Sequence, residues 1–436
     1  MTWALATIGF LLLAYAALSS RLESRDISAA VFFTASGLLA GPVFGVLDLS
    51  VGSHEVKLLA EVTLTLVLFA DATRISLPAL RAEYAVPLRL LGIGLPLTIV
   101  AGAVLGVAVL PGVSLVEAAV LAVMLACTDA ALGQPVVTDE RIPSRIRQGL
   151  NVESGLNDGL CVPLFFIALA LAEAEAGSLS AHGAFHLVAE QLGYGLLGGV
   201  LGGVLGALAL RAALRRLEPH WAQILSAATA LLAAGIAHGL GGSIFIAAFT
   251  AGFVFGLLRP HSGGELTFLL DESGELFNAV TFVIFGAVIL GSFLDEVTWE
   301  LVLYALVCLT VVRMVPVALA LAGTRARLPT IAFVGWFGPR GLASIVFGVI
   351  LLDESNLPHE RLLLLAVAVT VGISVLAHGI TARPLTERYV GWWNSHPRES
   401  RPSMESVVAA AHRVRGRPGR GAGPVRRVET TPASKR

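Results

Sequence analysis

Apolar residues run through this chain in long blocks separated by short polar connections. Thirteen such blocks, near residues 2–19, 27–47, 56–73, 85–110, 114–137, 146–172, 184–210, 222–240, 243–258, 274–293, 298–322, 330–352 and 361–382, approach the length of a membrane-crossing helix. A helix rising 1.5 Å per residue needs roughly 20 residues to cross a hydrocarbon layer of about 30 Å. The pattern therefore predicts an all-α membrane protein of about thirteen transmembrane helices. The first block has no basic residue ahead of it, so it reads as a span rather than a removable leader. Composition agrees: of 436 residues, 56% are hydrophobic and 14% charged, and mean hydropathy is +0.79.

The polar connections carry their own pattern. Arg21 and Arg25 follow the first span, Arg74, Arg81 and Arg89 the third, Arg141, Arg145 and Arg147 the fifth, and Arg211, Arg215 and Arg216 the seventh. Arg259 follows the ninth, and Arg325 and Arg327 the eleventh. The alternate loops hold Lys57 and Arg361 alone and carry acids such as Glu173, Glu175, Asp295, Glu296, Asp353 and Glu354. Basic residues mark cytoplasmic loops, so the expected N-terminus is outside and the C-terminus inside. The formal net charge of −1 hides this asymmetry. A division follows into a transmembrane domain, 1–390, and a basic, disordered cytoplasmic tail, 391–436, rich in Arg, Pro, Gly and Ser. The tail reads as a solvated segment that fixes topology, with attraction to anionic membrane lipids as the alternative. Cys127, Cys161 and Cys308 lie in apolar runs and read as packing residues. The glycines of "LLGGVLGGVLGALAL", residues 196–210, suit close helix packing, either within one protomer or in a homodimer.

Charge inside the spans is rare, and each charge at the bilayer centre costs roughly 2.5–3.5 kcal/mol. The candidates are Asp71, Asp129, Glu153, Asp158, Arg313 and Arg340, with Glu61 and Glu117 nearer to span ends. In "NVESGLNDG", Glu153 and Asn157 stand four residues apart, as do Ser154 and Asp158, so one half of that helix is polar. The preceding span contains "MLACTDAALGQPVV", where Thr128 and Asp129 precede a glycine and a proline. Seven spans later "GWFGPRGLAS" centres on Gly338-Pro339-Arg340-Gly341. Unwound backbone at such depth is tolerated only where it lines a cavity. Two broken helices at an odd offset predict an inverted-repeat transporter with its site where the breaks cross. Asp129 then suits a half-helix N-terminus and Arg340 a half-helix C-terminus.

"CTD" in span five, "ESGLNDG" in span six, an Arg in span eleven and "GPRG" in span twelve together resemble the NhaP-type monovalent cation:proton antiporters, prokaryotic relatives of sodium/proton exchangers. The resemblance covers about residues 1–390. It implies that Asp158 binds the transported cation or proton, and that Ser154, Thr128 and, from "LFADATRI", Asp71 complete the cation site. It also implies a buried pair of Glu153 with Arg313 of "TVVRMVPV", with Arg340 as the competing partner. Ala130 departs from the pattern, since many relatives have proline there. Relatives with Asp in place of Asn157 exchange electrogenically. Asn157 cannot titrate, so one exchangeable carboxylate and electroneutral exchange are expected here.

Exchange requires a carboxylate desolvated enough to hold a proton near neutral pH and without a permanent cationic partner. Glu153 and Asp158 divide the two tasks, one paired with Arg313 and the other open to a proton or a hard cation. The expected function is exchange of Na⁺, Li⁺ or K⁺ for H⁺ across the plasma membrane by alternating access, serving pH homeostasis, with no cofactor, no nucleic acid and no enzymatic chemistry. A cation channel or membrane ion sensor that keeps the site without coupled exchange is the alternative. An intramembrane hydrolase using Asp71, Asp129 or Asp158 lacks the companion motifs. His238 and His378, each in an "AHG" triplet, read as hydrogen-bonding residues at helix ends rather than as a proton relay.

Overall fold

The computed structural model describes residues 3–25, 27–47, 53–75, 77, 84–213, 218–259, 266–396 and 402–407. Arg81, Arg215, Arg216 and the tail from 408 lie outside these residues. Among the described residues there is no strand. The helices are α1 Ala4–Ser24, α2 Ala29–Val43, α3 His54–Thr73, α4 Ala85–Val109, α5 Leu115–Met124, α6 Ala130–Thr138, α7 Ser144–Glu175 and α8 Ala181–Ala213. They continue as α9 Pro219–Leu240, α10 Ile244–Leu258, α11 Phe268–Leu290, α12 Trp299–Leu309, α13 Val311–Ala320, α14 Leu328–Trp336, α15 Leu342–Glu354 and α16 Glu360–Asn394. Among the described residues, counting α12 with α13 as one, eight helices are long and apolar enough to cross a membrane, and α2, α5, α10 and α15 are shorter apolar helices. Two of the expected spans are each interrupted by an unwound stretch of several residues, α5 with α6 and α14 with α15, while α12 and α13 are parted only at Thr310.

Two acids near span ends are explained by the helix termini. Glu117 closes a capping box with Ser114 at the start of α5, and its carboxylate also meets Nδ1 of His359 at 3.0 Å. Glu61 lies one turn after Lys57 on α3, and Lys57 also pairs with Asp353 near the end of α15. Glu61 is matched within its own helix turn, and Glu117 both by its own helix start and across helices.

The glycine stripe of α8 is used inside the protomer, because its two edges meet two different helices. A Cβ on Gly202 would stand 2.6 Å from Cβ of Ala233, and one on Gly206 2.2 Å from Oγ1 of Thr229, both on α9. One on Gly199 would stand 2.5 Å from Cβ of Thr250 on α10. Only glycine permits such backbone approach. Gly206→Val should lower stability by roughly 1–3 kcal/mol, as overpacking usually does. The check is the thermal midpoint of the purified protein in detergent; an unchanged midpoint would mean that α8 and α9 do not meet along this edge.

Folded structure continues beyond residue 390. After α16 the chain returns, and Met404 is buried in an apolar cluster with Ile146 and Leu150 of α7. Oε1 of the buried Glu405 accepts from the Arg327 amide at 3.0 Å and from Oγ1 of Thr330 at 2.7 Å, at the start of α14.

Candidate functional site

Breaking a helix strands backbone groups, and here nearly every partner comes from elsewhere in the chain. At the end of α5, the Met124 carbonyl accepts from Oγ of Ser344 at 2.7 Å. The Ala126 carbonyl accepts from Nη1 of Arg340 at 2.7 Å and from Nδ2 of Asn157 at 2.9 Å. Cys127 accepts from the same guanidinium nitrogen at 2.9 Å, and the Thr128 carbonyl accepts from Oγ of Ser154 at 2.9 Å. A cation thus sits at a half-helix C-terminus, where the dipole favours it.

The opposite ends meet on one carboxylate. Oδ1 of Asp129 accepts from the amides of Ala131 and Leu132 at 2.7 and 3.2 Å, capping α6. Oδ2 accepts from the Leu342 amide at 2.9 Å, at the start of α15. The Asp129 amide in turn donates to the Pro339 carbonyl at 2.8 Å. A single side chain therefore serves the N-termini of both half-helices, one more than its sequence position suggests. A Cβ on Gly341 would stand 2.0 Å from Oδ2 of Asp129, so this crossing requires glycine. Gly133 and Pro135, which drew attention to the first break, lie inside α6. The interruption falls ahead of them, at 125–129, where Asp129 offers the backbone a better partner than helix continuation does.

Beside the crossing, Arg313 donates from Nη1 to Oε1 of Glu153 at 2.9 Å and from Nη2 to Oε2 at 3.2 Å. Both side chains are buried, at 3% and 2% exposure, so the pair is almost fully desolvated. Arg340, the competing partner, gives its guanidinium to the α5 carbonyls. A second glycine makes room: a Cβ on Gly338 would stand 2.5 Å from Nε of Arg313.

Asp158 is buried one residue beyond Asn157 on α7, and Ser154 lies one turn earlier. Asn157 reaches Oγ1 of Thr128 at 3.3 Å through Nδ2, while its Oδ1 accepts from the Cys161 thiol at 3.1 Å. The structure therefore gathers Thr128, Ser154 and Asn157 around the unwound segment. A small cleft is lined by Thr128, Asp129, Glu153, Ser154, Phe337 and Pro339, with Val136 and Val137 of α6. Asp71 is buried at the end of α3 and accepts from Nη1 of Arg74 at 2.6 Å, and Arg74 also pairs with Asp271. A Cβ on Gly155 of α7 would stand 3.9 Å from Cβ of Asp71, so this acid comes close to the site while engaged by a resident cation. Ser344, Asp271 and Ser374 join these contacts without a sequence signal, because isolated polar residues in apolar helices resemble packing residues; His378, expected to hydrogen-bond at a helix end, does hydrogen-bond but from the middle of α16.

Two broken helices crossing with their ends matched by Asp129 and Arg340 define an inverted-repeat membrane transporter fold. The chain belongs to the sodium/hydrogen exchanger family: the model for its transmembrane region matches residues 8–388. The fold resembles that of the sodium proton antiporter MjNhaP1 from Methanocaldococcus jannaschii at pH 8, with a TM-score of 0.72 and 20% identity, covering 87% of this chain and 99% of that one. A Na⁺/H⁺ antiporter of Schizosaccharomyces pombe is 26% identical over 257 residues, 55% of this chain and 54% of that protein. Na⁺/H⁺ antiporter 2 of Zygosaccharomyces rouxii is 25% identical over 276 residues, 58% of this chain and 33% of that protein. The chain thus spans a third to about half the length of these two relatives.

Proposed function

We propose that the chain exchanges Na⁺ or Li⁺ for H⁺ across the plasma membrane by alternating access, with proton and cation competing for Asp158. The observation that carries this reading is the burial of Asp158 on the face of α7 whose neighbours, Ser154 and Asn157, bind the unwound Thr128 segment. Hydroxyl and carbonyl oxygens gathered there suit a small hard cation. The relatives named as Na⁺/H⁺ antiporters support the same substrates. Glu153, already neutralised by Arg313, serves structure rather than exchange. Asp71 is engaged by Arg74, and this reading gives it no exchanging role.

The basic loops face the cytoplasm in this reading, with the N-terminus outside. The cleft is lined by Val136 and Val137, near the end of α6 that leads into the Arg141 loop, and Asp158 is not among its lining residues.

With Glu153 paired to Arg313, Asp158 is the one exchanging carboxylate of α7 in this reading; it gives one proton for one monovalent cation, and net charge stays constant over the cycle. The test uses proteoliposomes in which Na⁺ and H⁺ gradients are brought to balance and a K⁺/valinomycin potential is then imposed. One elementary charge moving through 100 mV is worth about 2.3 kcal/mol, equivalent to roughly 1.7 pH units at 1.36 kcal/mol each. The balance point is expected to stay fixed. A displacement near that size would mean a second proton carrier, and a Na⁺ current without proton movement would mean a channel.

A further inference from the structure

His378 of α16 lies well away from Asp158 in sequence and takes no part in the exchange described above, yet it is 1% exposed beside the second break. Its Nε2 is 2.9 Å from the Trp336 carbonyl, the last of α14. A carbonyl only accepts, so Nε2 carries the hydrogen. Nδ1 stands 2.9 Å from the Ser374 carbonyl and 3.2 Å from Oγ of Ser374, one turn earlier on α16, so the ring lies against both the backbone and the side chain of that residue. That hydroxyl accepts from the Arg340 amide at 2.7 Å. Ser374 holds the Arg340 amide, His378 holds the Trp336 carbonyl, and the two side chains touch one another. Two side chains on one helix face thus grip the unwound segment on both sides of Phe337, Gly338 and Pro339. Within the segment the Phe337 amide donates to the Phe333 carbonyl at 3.1 Å and the Gly338 amide to the Trp336 carbonyl at 2.8 Å, while Pro339 has no amide to donate and its carbonyl accepts from the Asp129 amide. The imidazole also lies against the Trp336 indole, with ring centroids 5.2 Å apart.

We propose that His378, acting with Ser374, is a positioning residue for cation binding: it fixes the backbone of Arg340 so that the guanidinium reaches the Ala126 and Cys127 carbonyls and holds the Thr128 segment in shape. The inference rests on the reading of this chain as a cation/proton exchanger. His378 does not touch the ion. Its effect passes through Arg340 to the unwound residues that Ser154 and Asn157 bind.

The substitutions that separate this from a packing role differ in reach. The amide nitrogen of glutamine stands four bonds from Cα, as Nε2 of histidine does, whereas that of asparagine stands three bonds away. His378→Gln keeps a donor for Trp336, and His378→Asn does not. Wild type, His378→Gln, His378→Asn and Ser374→Ala are compared as full-length purified protein in proteoliposomes and by hydrogen exchange of the peptide covering 336–342. His378→Asn and Ser374→Ala are expected to speed amide exchange in that peptide and to raise the apparent KM for Na⁺ roughly tenfold, about 1.4 kcal/mol, with the maximal rate near wild type. His378→Gln is expected to stay close to wild type in both. A lower thermal midpoint with unchanged KM and unchanged amide exchange in His378→Asn overturns the proposal, as does a glutamine variant as impaired as the asparagine one. If His378→Asn does not fold, Ser374→Ala decides, since it removes the acceptor of the Arg340 amide directly. Absence of exchange in the wild type would reject the exchanger reading, while amide exchange would still show whether His378 holds the break.

Discussion

Asp158→Asn is expected to reduce Na⁺-driven proton movement in proteoliposomes to the level of protein-free vesicles, while the purified variant keeps a thermal midpoint near that of wild type. The amide keeps the size of the carboxyl and loses its titratable proton, so competition between H⁺ and a cation ends. Stability should survive because Asp158 is only 8% exposed, where an uncharged group is cheaper to bury than a charged one. Asp129 makes the contrast clear. Its carboxylate caps two half-helices, so its charge belongs to the framework, whereas the case for Asp158 rests on chemistry at an ion site. Exchange at the wild-type rate in Asp158→Asn would remove Asp158 from the mechanism, and loss of the fold would give it a structural role like that of Asp129.

Much of this architecture was legible because lipid is a demanding solvent. A spanning helix must be long and apolar, so the spans and the rare intramembrane charges stand out from the sequence. The polar face of Glu153, Ser154, Asn157 and Asp158 followed from helical spacing within one segment. Contacts between segments were less visible. The break in span five was found through Gly133 and Pro135, yet those residues continue the helix, and Asp129 ends it by binding the Leu342 amide 213 positions away. Whether Glu153 would meet Arg313 or Arg340 depended on the space left by Gly338 and on the α5 carbonyls, and neither is written in local sequence. Glu117 and the Ser374–His378 pair looked ordinary for the same reason: each is explained by a partner on another helix. The glycine stripe of α8 fitted two packing arrangements equally, and only the positions of Ala233, Thr229 and Thr250 separate them.

Glu153→Gln is expected to damage folding more than ion affinity. The change removes one charge of a pair whose members are 2% and 3% exposed and leaves the Arg313 guanidinium in a low-dielectric interior. Breaking a buried pair from one side typically costs roughly 3–5 kcal/mol, because the surviving charge keeps its desolvation penalty and loses its compensation. Arg313 has little freedom to move away, since its Nε lies against Gly338. Arg313→Met should be destabilising for the complementary reason, leaving Glu153 as a buried carboxylate without its counter-ion. The double variant Glu153→Gln with Arg313→Met should recover much of the loss, because no stranded charge remains and methionine fills part of the space against Gly338. The comparison of all four proteins forms a double-mutant cycle, read as thermal midpoints and monodisperse yield in detergent. Additive losses, or a Glu153→Gln protein as stable as wild type, would show that the pair contributes no coupling. A recovered fold with impaired exchange would separate its two roles: charge compensation supports the helices, while the intact guanidinium holds the Gly338 break in register with the Thr128 segment.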